Sequence, residues 1–377
     1  MRGIRVLCID DSMFIRSLLS KLFVSDLDIE EVKTANDGAS AFLLLANWHP
    51  DIITLDVEMP RMNGLEVLKI IKERWDIPVV MLSSLTRTGA DITIKALEVG
   101  AVDWVQKPEN VFEEAAFETM TQELVNKIKT IAQMIKTRKS PESTQSTQSK
   151  KPLLKETGPD RDYITNEHFK RLVMESKWEP KGTTKLGYYL IAIGISTGGP
   201  SALNQVIPHL QKDMNAAMII VQHMPATFTK VFAERLNSFS LVTVKEAQDG
   251  DTITKGVVYI VPGDKHIRLV ETGSTTLKIK LDHYPKIGGF RPSAESLFYF
   301  TAETCKEKSV GIIMTGMGSD GSDNISMIKK YSGKTIAQDE ASCVIFGMPH
   351  VAIQKGNVDF VVPLNKIVDK INEFIIR

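Results

Sequence analysis

The sequence predicts an α/β protein built from two doubly wound domains with a flexible linker between them. In each half of the chain, short β-rich runs alternate with amphipathic helical stretches. A polar, low-complexity stretch at residues 139–150 separates the halves and carries too little apolar surface to form a core. The length of 377 residues also exceeds one ordinary core. We expect a first domain at 1–125, a linker with room for short helices at 126–185, and a second domain at 186–377.

The first domain contains five β-rich runs separated by helical stretches such as 14–23. These runs are residues 5–9, 31–35, 52–55, 78–82 and 103–106. Strands joined by crossover helices form a parallel sheet, and such sheets place their sites at the carboxyl ends of the strands. We therefore expect a five-stranded parallel sheet with a functional edge.

Charged and hydroxyl side chains follow four of these strands. They are Asp10 and Asp11 after the first strand, Asp56 after the third, Ser83 after the fourth and Lys107 after the fifth. Three carboxylates converging on one edge repel each other unless a hard cation lies among them, and Mg²⁺ prefers such oxygen ligands. The lysine and the serine could hold a phosphoryl group. We predict a phospho-acceptor site, the alternative being unrelated surface acids.

The second domain begins with a strand, a tight turn and a helix. An apolar run at 189–193 leads into residues 194–199, Gly-Ile-Ser-Thr-Gly-Gly, and a helical stretch follows at 201–206. Glycines at G-x-S-x-G spacing permit the sharp turn that lifts a serine hydroxyl clear of a sheet, and the helix start offers N–H groups to an oxyanion. Ser196 is therefore a candidate nucleophile. A purely structural Gly-Ser turn is the alternative.

A serine nucleophile needs a base and a group that orients this base. His223 follows the buried run 217–221, and Asp320 lies in a glycine-lined turn after the run 310–314. Taken alone, Asp320 could equally be a helix N-cap. Together the three residues predict a Ser-His-Asp triad, whose order along the chain differs from that of the α/β-hydrolases, chymotrypsin and subtilisin.

A β-rich insert follows the histidine. Its runs are residues 242–247, 257–264 and 277–281. We expect this insert to supply an added antiparallel β element, so that parallel and antiparallel strands are mixed in the second domain.

Bulk properties exclude several classes of protein. The 46 basic and 46 acidic residues balance, which removes any global argument for binding nucleic acid or an anionic membrane. The three cysteines have no framework spacing and are typical of reduced cytosolic thiols. Neither a bilayer-spanning run nor a signal peptide is evident. We expect a cytoplasmic, monomeric protein that does not insert into membranes.

Nine motifs, in order, resemble those of the chemotaxis response-regulator protein-glutamate methylesterases, the CheB type, in which a receiver domain precedes a serine-esterase domain. The likeness covers residues 4–108 and 186 to near the C-terminus. The motifs lie at residues 10–12, 56–60, 106–108, 194–199, 222–225, 261–266, 291–293, 316–321 and 337–340.

The resemblance implies hydrolysis of γ-glutamyl methyl esters on methyl-accepting chemotaxis receptors, with release of methanol, and deamidation of receptor glutamines at the same sites. Ser196 would attack, His223 would act as base and then acid, and Asp320 would orient the histidine. The backbone N–H groups of Met317 and Thr197 would serve the oxyanion. The esterase reaction would need no cofactor.

The resemblance also implies that a chemotaxis histidine kinase phosphorylates Asp56, with Mg²⁺ held by Asp10, Asp11 and Asp56. Other residues that it assigns are Ser83 and Lys107 as phosphoryl-binding groups, Trp104 as a switch ring, and Arg291 and His266 as substrate-entrance residues. The last two could equally be solvated surface. A receiver fused to a hydrolase further suggests that the unphosphorylated first domain covers the serine.

Two other functions remain open from the sequence. Residues 316–321 also satisfy G-x-G-x-x-G, the motif of a dinucleotide site, although Asp320 would put a carboxylate beside the pyrophosphate. A receiver with a non-catalytic binding output is the second alternative, and the neutral charge argues against DNA as its target.

Overall fold

Two parallel sheets organise the chain, one in each half. The computed structural model describes residues 3–84, 86–108, 113–139, 163–175, 186–272 and 275–375. The expected linker stretch at 140–150 lies outside these residues.

The N-terminal sheet has five parallel strands in the order β2-β1-β3-β4-β5, as predicted. Its strands are β1 (Ile4–Ile9), β2 (Ile29–Ala35), β3 (Ile52–Asp56), β4 (Val79–Ser83) and β5 (Asp103–Gln106). The helices are α1 (Met13–Val24), α2 (Gly38–Asn47), α3 (Gly64–Arg74), α4 (Arg87–Val99) and α5 (Glu114–Lys139). Every residue of β3 and β4 is buried, because helices cover both faces of the sheet.

Helix α5 runs through position 125, where the sequence analysis ends the first domain. Its residues Leu124, Ile128 and Ile131 are buried against the face of the sheet that also packs on α1. The apolar spacing continues without a helix-breaking residue, so the helix extends to Lys139.

A short segment next in the chain packs on the second domain. It consists of β6 (Tyr163–Ile164) and α6 (Asn166–Glu175), and β6 pairs with β13 (Lys286–Ile287). Phe169 is buried and makes edge contacts with the rings of Tyr299 and Phe300. The short helices expected at 126–185 therefore include one that belongs to the core of the second domain.

The C-terminal sheet has seven parallel strands in the order β16-β15-β14-β7-β8-β10-β9. Its strands are β7 (Tyr189–Ile195), β8 (Ala216–Gln222), β9 (Thr243–Glu246), β10 (Val257–Ile260), β14 (Ser309–Ile313), β15 (Lys334–Gln338) and β16 (Phe360–Val362). The helices around it are α7 (Gly199–Val206), α8 (Ala226–Asn237), α9 (Ala294–Cys305), α10 (Ile325–Lys330), α11 (Met348–Gln354) and α12 (Ile367–Ile375).

The β-rich insert contains both parallel and antiparallel strands, as predicted. Strands β9 and β10 are parallel members of the main sheet, and β10 ends at Ile260. A loop without a helix joins them, so the usual crossover pattern was absent from the sequence. The antiparallel element is instead a separate hairpin of β11 (His266–Glu271) and β12 (Leu277–Asp282).

The receiver-like domain packs against the second domain through α4, β5 and α5. The Trp104 ring stacks on Phe228 with centroids 4.2 Å apart, and Arg235 of α8 donates two hydrogen bonds to Glu98 of α4. Among the described residues, no helix is both long and apolar enough to cross a membrane.

Candidate active site

Three neighbouring strands bring the predicted triad together. Strands β14, β7 and β8 are adjacent and parallel, so their carboxyl ends meet at one edge of the sheet. Ser196 follows β7, His223 follows β8, and Asp320 lies in the loop after β14. The long separations in sequence therefore close through strand pairing.

The imidazole of His223 lies between the other two side chains. Its Nδ1 is 3.1 Å from Ser196 Oγ, and its Nε2 is 2.8 Å from Asp320 Oδ2. The carboxylate accepts a hydrogen bond from Nε2–H, which leaves Nδ1 as the acceptor for the serine hydroxyl. In the chymotrypsin arrangement the two ring nitrogens have the opposite partners. The sequence carried no indication of this exchange.

Asp320 is held by the start of α9. It accepts hydrogen bonds from the Ser293 hydroxyl at 2.5 Å and from the Ala294 N–H at 2.6 Å. The free N–H groups at a helix start favour an anion. Asp320 therefore combines the contact that orients His223 with the capping of a helix, although the helix is not the one that follows it in sequence.

The turn around Ser196 depends on close backbone approach. Gly198 has φ 77°, and a Cβ there would lie 2.5 Å from Val344. The Ser196 N–H donates to the Thr315 carbonyl at 3.0 Å, which ties the serine turn to the loop that carries Asp320. The glycine spacing that predicted a sharp turn thus has a steric cause.

Two backbone N–H groups on the loops around the triad have no acceptor among the described residues. They belong to Thr197 and Met317, and within the described parts of the chain neither donates to another protein group. The structure places them on the loops after β7 and β14, the same loops that carry Ser196 and Asp320. Two such donors are what an oxyanion site requires.

Residues of the first domain touch both of these positions. The Thr197 hydroxyl donates to Asp103 Oδ2 at 2.8 Å, and the Thr130 hydroxyl lies 3.9 Å from Met317 Sδ. Asp103 also pairs with Lys127 at 3.0 Å. Burial opposes the charge on Lys127, but its ion pairs with Asp103 and Glu123 outweigh burial and raise its pKa. The first domain therefore covers the serine side of the site.

A cavity of about 410 Å³ remains between the domains beside His223. Phe290 and Arg291 line it from the second domain, while Trp104 and Lys127 line it from the first. Phe290 stacks on the His223 ring with centroids 4.1 Å apart and planes 10° apart. The sequence analysis missed Phe290, because the loop that carries it has no local pattern linking it to the histidine.

The two expected entrance residues differ in placement. Arg291 lies at the cavity and donates to Asp264 Oδ1 at 2.6 Å. His266 is fully buried, so its expected entrance role is wrong. Its Nε2 contacts the Pro285 carbonyl at 3.1 Å, and burial lowers its pKa to about 4, which keeps the ring neutral. The motif position led to the prediction of an entrance role, whereas the fold buries the His266 side chain inside the second domain.

Glu295 is a further buried acid near the triad. It accepts from the N–H groups of Asp323 at 3.0 Å and Asn324 at 2.6 Å, and from the Asn166 amide at 3.2 Å. Burial, assisted by Asp320, outweighs these donors and raises the pKa of Glu295 to about 8. In the sequence, the only indication of this residue was the motif at residues 291–293, which ends two positions before it.

In the first domain, the predicted acidic cluster is assembled. Oxygens of Asp10, Asp11 and Asp56 lie within 4.8 Å of one another. The Lys107 amine bridges two of them, at 2.7 Å from Asp10 and 2.8 Å from Asp56. Burial raises the pKa of Asp56 to about 6, against the opposing effect of Lys107. Ser83, at the end of β4, accepts a hydrogen bond from Thr93 at 2.7 Å.

This cluster fits Mg²⁺ by the chemistry of its donors. All three side chains offer carboxylate oxygens, the ligands that the ion prefers, and Lys107 alone cannot balance three carboxylates. Trp104, the expected switch ring, is buried at the domain interface on Phe228, three positions before this lysine.

Comparison with known proteins agrees with this geometry. The family model described as CheB methylesterase matches residues 191–371, and the response regulator receiver domain model matches residues 6–115. A protein-glutamate methylesterase/protein-glutamine glutaminase of Pyrococcus horikoshii is 40% identical over 368 residues, which cover 97% of this chain and 92% of the relative. The Thermotoga maritima protein of the same name is 38% identical over 374 residues, 99% of each chain.

Solved structures are similar to the two halves separately. The Thermotoga maritima CheB methylesterase catalytic domain is 42% identical, with TM-score 0.49, and covers 50% of this chain and 100% of its own. The response regulator domain of Thermotoga maritima CheB is 43% identical, with TM-score 0.32, and covers 34% of this chain and 95% of its own. With the full-length relatives and both family models in agreement, the chain belongs to the CheB-type protein-glutamate methylesterases, in which a receiver domain precedes a methylesterase domain.

Proposed function

We propose that this chain hydrolyses γ-glutamyl methyl esters on methyl-accepting chemotaxis receptors and deamidates receptor glutamines at the same sites. The observation that carries the proposal is the position of His223, with one ring nitrogen on Ser196 Oγ and the other on Asp320 Oδ2. The names of its relatives, protein-glutamate methylesterase/protein-glutamine glutaminase, give the substrate class.

The contacts of His223 define the order of proton transfers. Ser196 Oγ attacks the ester carbonyl carbon while Nδ1 takes the hydroxyl proton. As the tetrahedral intermediate breaks down, Nδ1 returns that proton to the methoxy oxygen, and methanol leaves. A water molecule then attacks the acyl-enzyme and gives its proton to Nδ1, which passes it to Ser196 as glutamate is released. With a glutamine substrate, ammonia leaves in place of methanol.

The orienting carboxylate and the two candidate oxyanion donors stabilise the charges that develop during the reaction. Asp320 accepts a hydrogen bond from the Nε2–H group throughout, so it stabilises the imidazolium that forms when Nδ1 is protonated. The N–H groups of Thr197 and Met317 are our candidates for binding the oxyanion. Donors already fixed in place do not have to reorganise as the charge develops.

We further propose that the receiver domain is phosphorylated on Asp56 by a chemotaxis histidine kinase. Asp10, Asp11 and Asp56 would hold Mg²⁺, which neutralises charge during phosphoryl transfer. Lys107 and Ser83 would bind the phosphoryl oxygens. Phosphorylation adds charge where Lys107 now bridges Asp10 and Asp56, so it must alter the contacts of that lysine.

Docking of the receiver supports an autoinhibited state. Asp103 and Thr130 contact the two candidate oxyanion residues, and the first domain closes one side of the cavity beside His223. A receptor helix is far larger than the remaining 410 Å³. We propose that phosphorylation weakens this docking and so exposes the site, with Trp104 on Phe228 as part of the interface that separates.

We keep the expected division into receiver, connecting segment and catalytic domain as part of this proposal, together with a monomeric, cytoplasmic protein. Arg291 stays a proposed entrance residue, because it lines the cavity and donates to the exposed Asp264.

Methanol release from methylated receptor preparations tests the function. We expect Ser196→Ala to reduce the rate at least about 1000-fold, as loss of a triad nucleophile does. Asp56→Asn should keep the basal rate and lose its stimulation by acetyl phosphate with Mg²⁺. The proposal fails if Ser196→Ala releases methanol at the wild-type rate, and the regulatory part fails if the stimulation survives in Asp56→Asn.

A further inference from the structure

Gln222 is a buried polar residue that the proposed mechanism does not use. It is the last residue of β8, directly before His223, and its side chain is 2% exposed. Buried amides cost free energy unless they form hydrogen bonds. Its Oε1 has no hydrogen-bond partner among the described residues, so the two bonds donated by its NH₂ group indicate what the residue does.

The Gln222 amide joins the backbones of two triad residues. Its Nε2 donates to the Ser196 carbonyl at 3.0 Å and to the His223 carbonyl at 3.3 Å. An amide NH₂ has two hydrogens, so both are used. One side chain thus sets the distance between the turn that carries Ser196 and the strand end that carries His223.

The turn that carries Ser196 leaves space for the Gln222 side chain. A Cβ on Gly199 would lie 2.0 Å from Gln222 Oε1, so a glycine at this position lets the side chain lie against the turn. The Gly199 N–H also donates to the Ser196 carbonyl at 2.8 Å, which therefore has two donors. The second glycine of the Gly198-Gly199 pair has a steric role that G-x-S-x-G does not explain.

We propose that Gln222 is a positioning residue, which fixes the Ser196 turn relative to His223 so that the contact between Oγ and Nδ1 is kept. This inference rests on the proposed roles of Ser196 and His223. The contact between Oγ and Nδ1 joins side chains on two separate segments, and a displacement of either backbone lengthens it. Errors of about 1 Å in such a geometry can cost about 100-fold in rate.

The test uses Gln222→Met in the full chain, activated with acetyl phosphate and Mg²⁺. Methionine has a similar length and fills the space without an N–H donor. We expect kcat for methanol release to fall about 10- to 100-fold while KM changes less than about threefold. The rate at which a fluorophosphonate labels Ser196 should fall in parallel, because that reaction needs the nucleophile and its base but no receptor.

Two further variants separate positioning from stability. Ile371→Val removes one methylene from a fully buried site on α12 and lowers stability without contact with the triad, so its kcat should stay at the wild-type value. Gln222→Asn keeps a buried amide but is too short to reach both carbonyls. If Gln222→Met does not fold, we expect the same loss of kcat in Gln222→Asn.

The outcomes are distinguishable from those for the proposed function. If Ser196→Ala keeps wild-type activity, the nucleophile is wrong and the proposed function fails whatever the Gln222 variants do. If Ser196→Ala is inactive while a folded Gln222 variant keeps wild-type kcat and labelling rate, the positioning role is wrong. The role is also wrong if Ile371→Val lowers kcat as much as Gln222→Met.

Discussion

Asp103 of the receiver accepts a hydrogen bond from the hydroxyl of Thr197, the residue after the candidate nucleophile, across 2.8 Å. Asp103 opens β5, and Lys107 of the acidic cluster follows the end of the same strand. One short strand therefore contacts the phospho-acceptor site at one end and the serine turn at the other. A shift of β5 would act on both sites.

Thr197→Val should activate the unphosphorylated chain. The substitution removes the hydroxyl and keeps both the shape and the backbone N–H. A hydrogen bond to a charged group contributes about 1.5–3 kcal/mol, so we expect basal methanol release to rise about 10- to 150-fold and stimulation by acetyl phosphate to shrink. Thr335→Val is the matched control, because its hydroxyl bonds to Asp359 at 2.9 Å far from the receiver. Equal basal rates in both variants would contradict this prediction.

The ion pair between Arg235 and Glu98 should make basal activity depend on salt. The guanidinium donates to both carboxylate oxygens, at 2.8 and 2.9 Å, across the domain interface. A partly exposed pair contributes about 0.5–1 kcal/mol and is screened by salt. We expect Glu98→Arg to raise basal methanol release about threefold, and the exchange Glu98→Arg with Arg235→Glu to restore the wild-type rate. No restoration in the double variant would contradict a direct pair.

Phe290→Leu should lower kcat with little change in stability. The Phe290 ring lies flat on His223 and limits the positions open to the imidazole. Aromatic stacking contributes about 0.5–1.5 kcal/mol, which corresponds to a loss of about 3- to 10-fold in methanol release. Phe360→Leu removes a ring that packs on Phe374 instead, and it should leave the rate unchanged. The prediction is wrong if both variants lose the same activity.

Glu295→Gln should flatten the pH dependence of stability. The pKa of Glu295 rises from its ordinary value of 4.5 to about 8, chiefly through burial, with Asp320 and Asp323 as neighbouring charges. The folded state then binds the proton more tightly, so stability is greatest below pH 4.5 and falls as the pH rises through 8. This change is on the order of 5 kcal/mol.

Urea unfolding from pH 5 to 9 measures the effect of Glu295→Gln. The wild type should lose stability relative to the variant across this range. Parallel curves for the two proteins would show that Glu295 does not titrate there.

Local patterns were enough to find the strands of the receiver and the three triad positions. Ser196, His223 and Asp320 each follow an apolar run that reads as a buried strand, and parallel pairing then brings strand ends together. The pairing of β9 with β10 could not be found in this way, because no crossover helix lies between them.

Contacts between distant segments could not be predicted from the sequence. The stacking of Phe290 on His223 depends on how residues 286–291 fold back over β8, and the burial of His266 depends on the hairpin that it begins. None of these contacts produces a periodic pattern in the sequence of the residues concerned.

The anchoring of α6 to the catalytic domain has a consequence for how the inhibited fraction depends on the concentration of the enzyme. With Phe169 in that core, residues 140–162 are what joins the two domains covalently between α5 and β6, and they span at most about 80 Å. A released receiver thus stays at a local concentration in the millimolar range. Rebinding of the receiver to the catalytic domain is unimolecular, so the fraction of inhibited enzyme should be the same in a dilute and in a concentrated preparation.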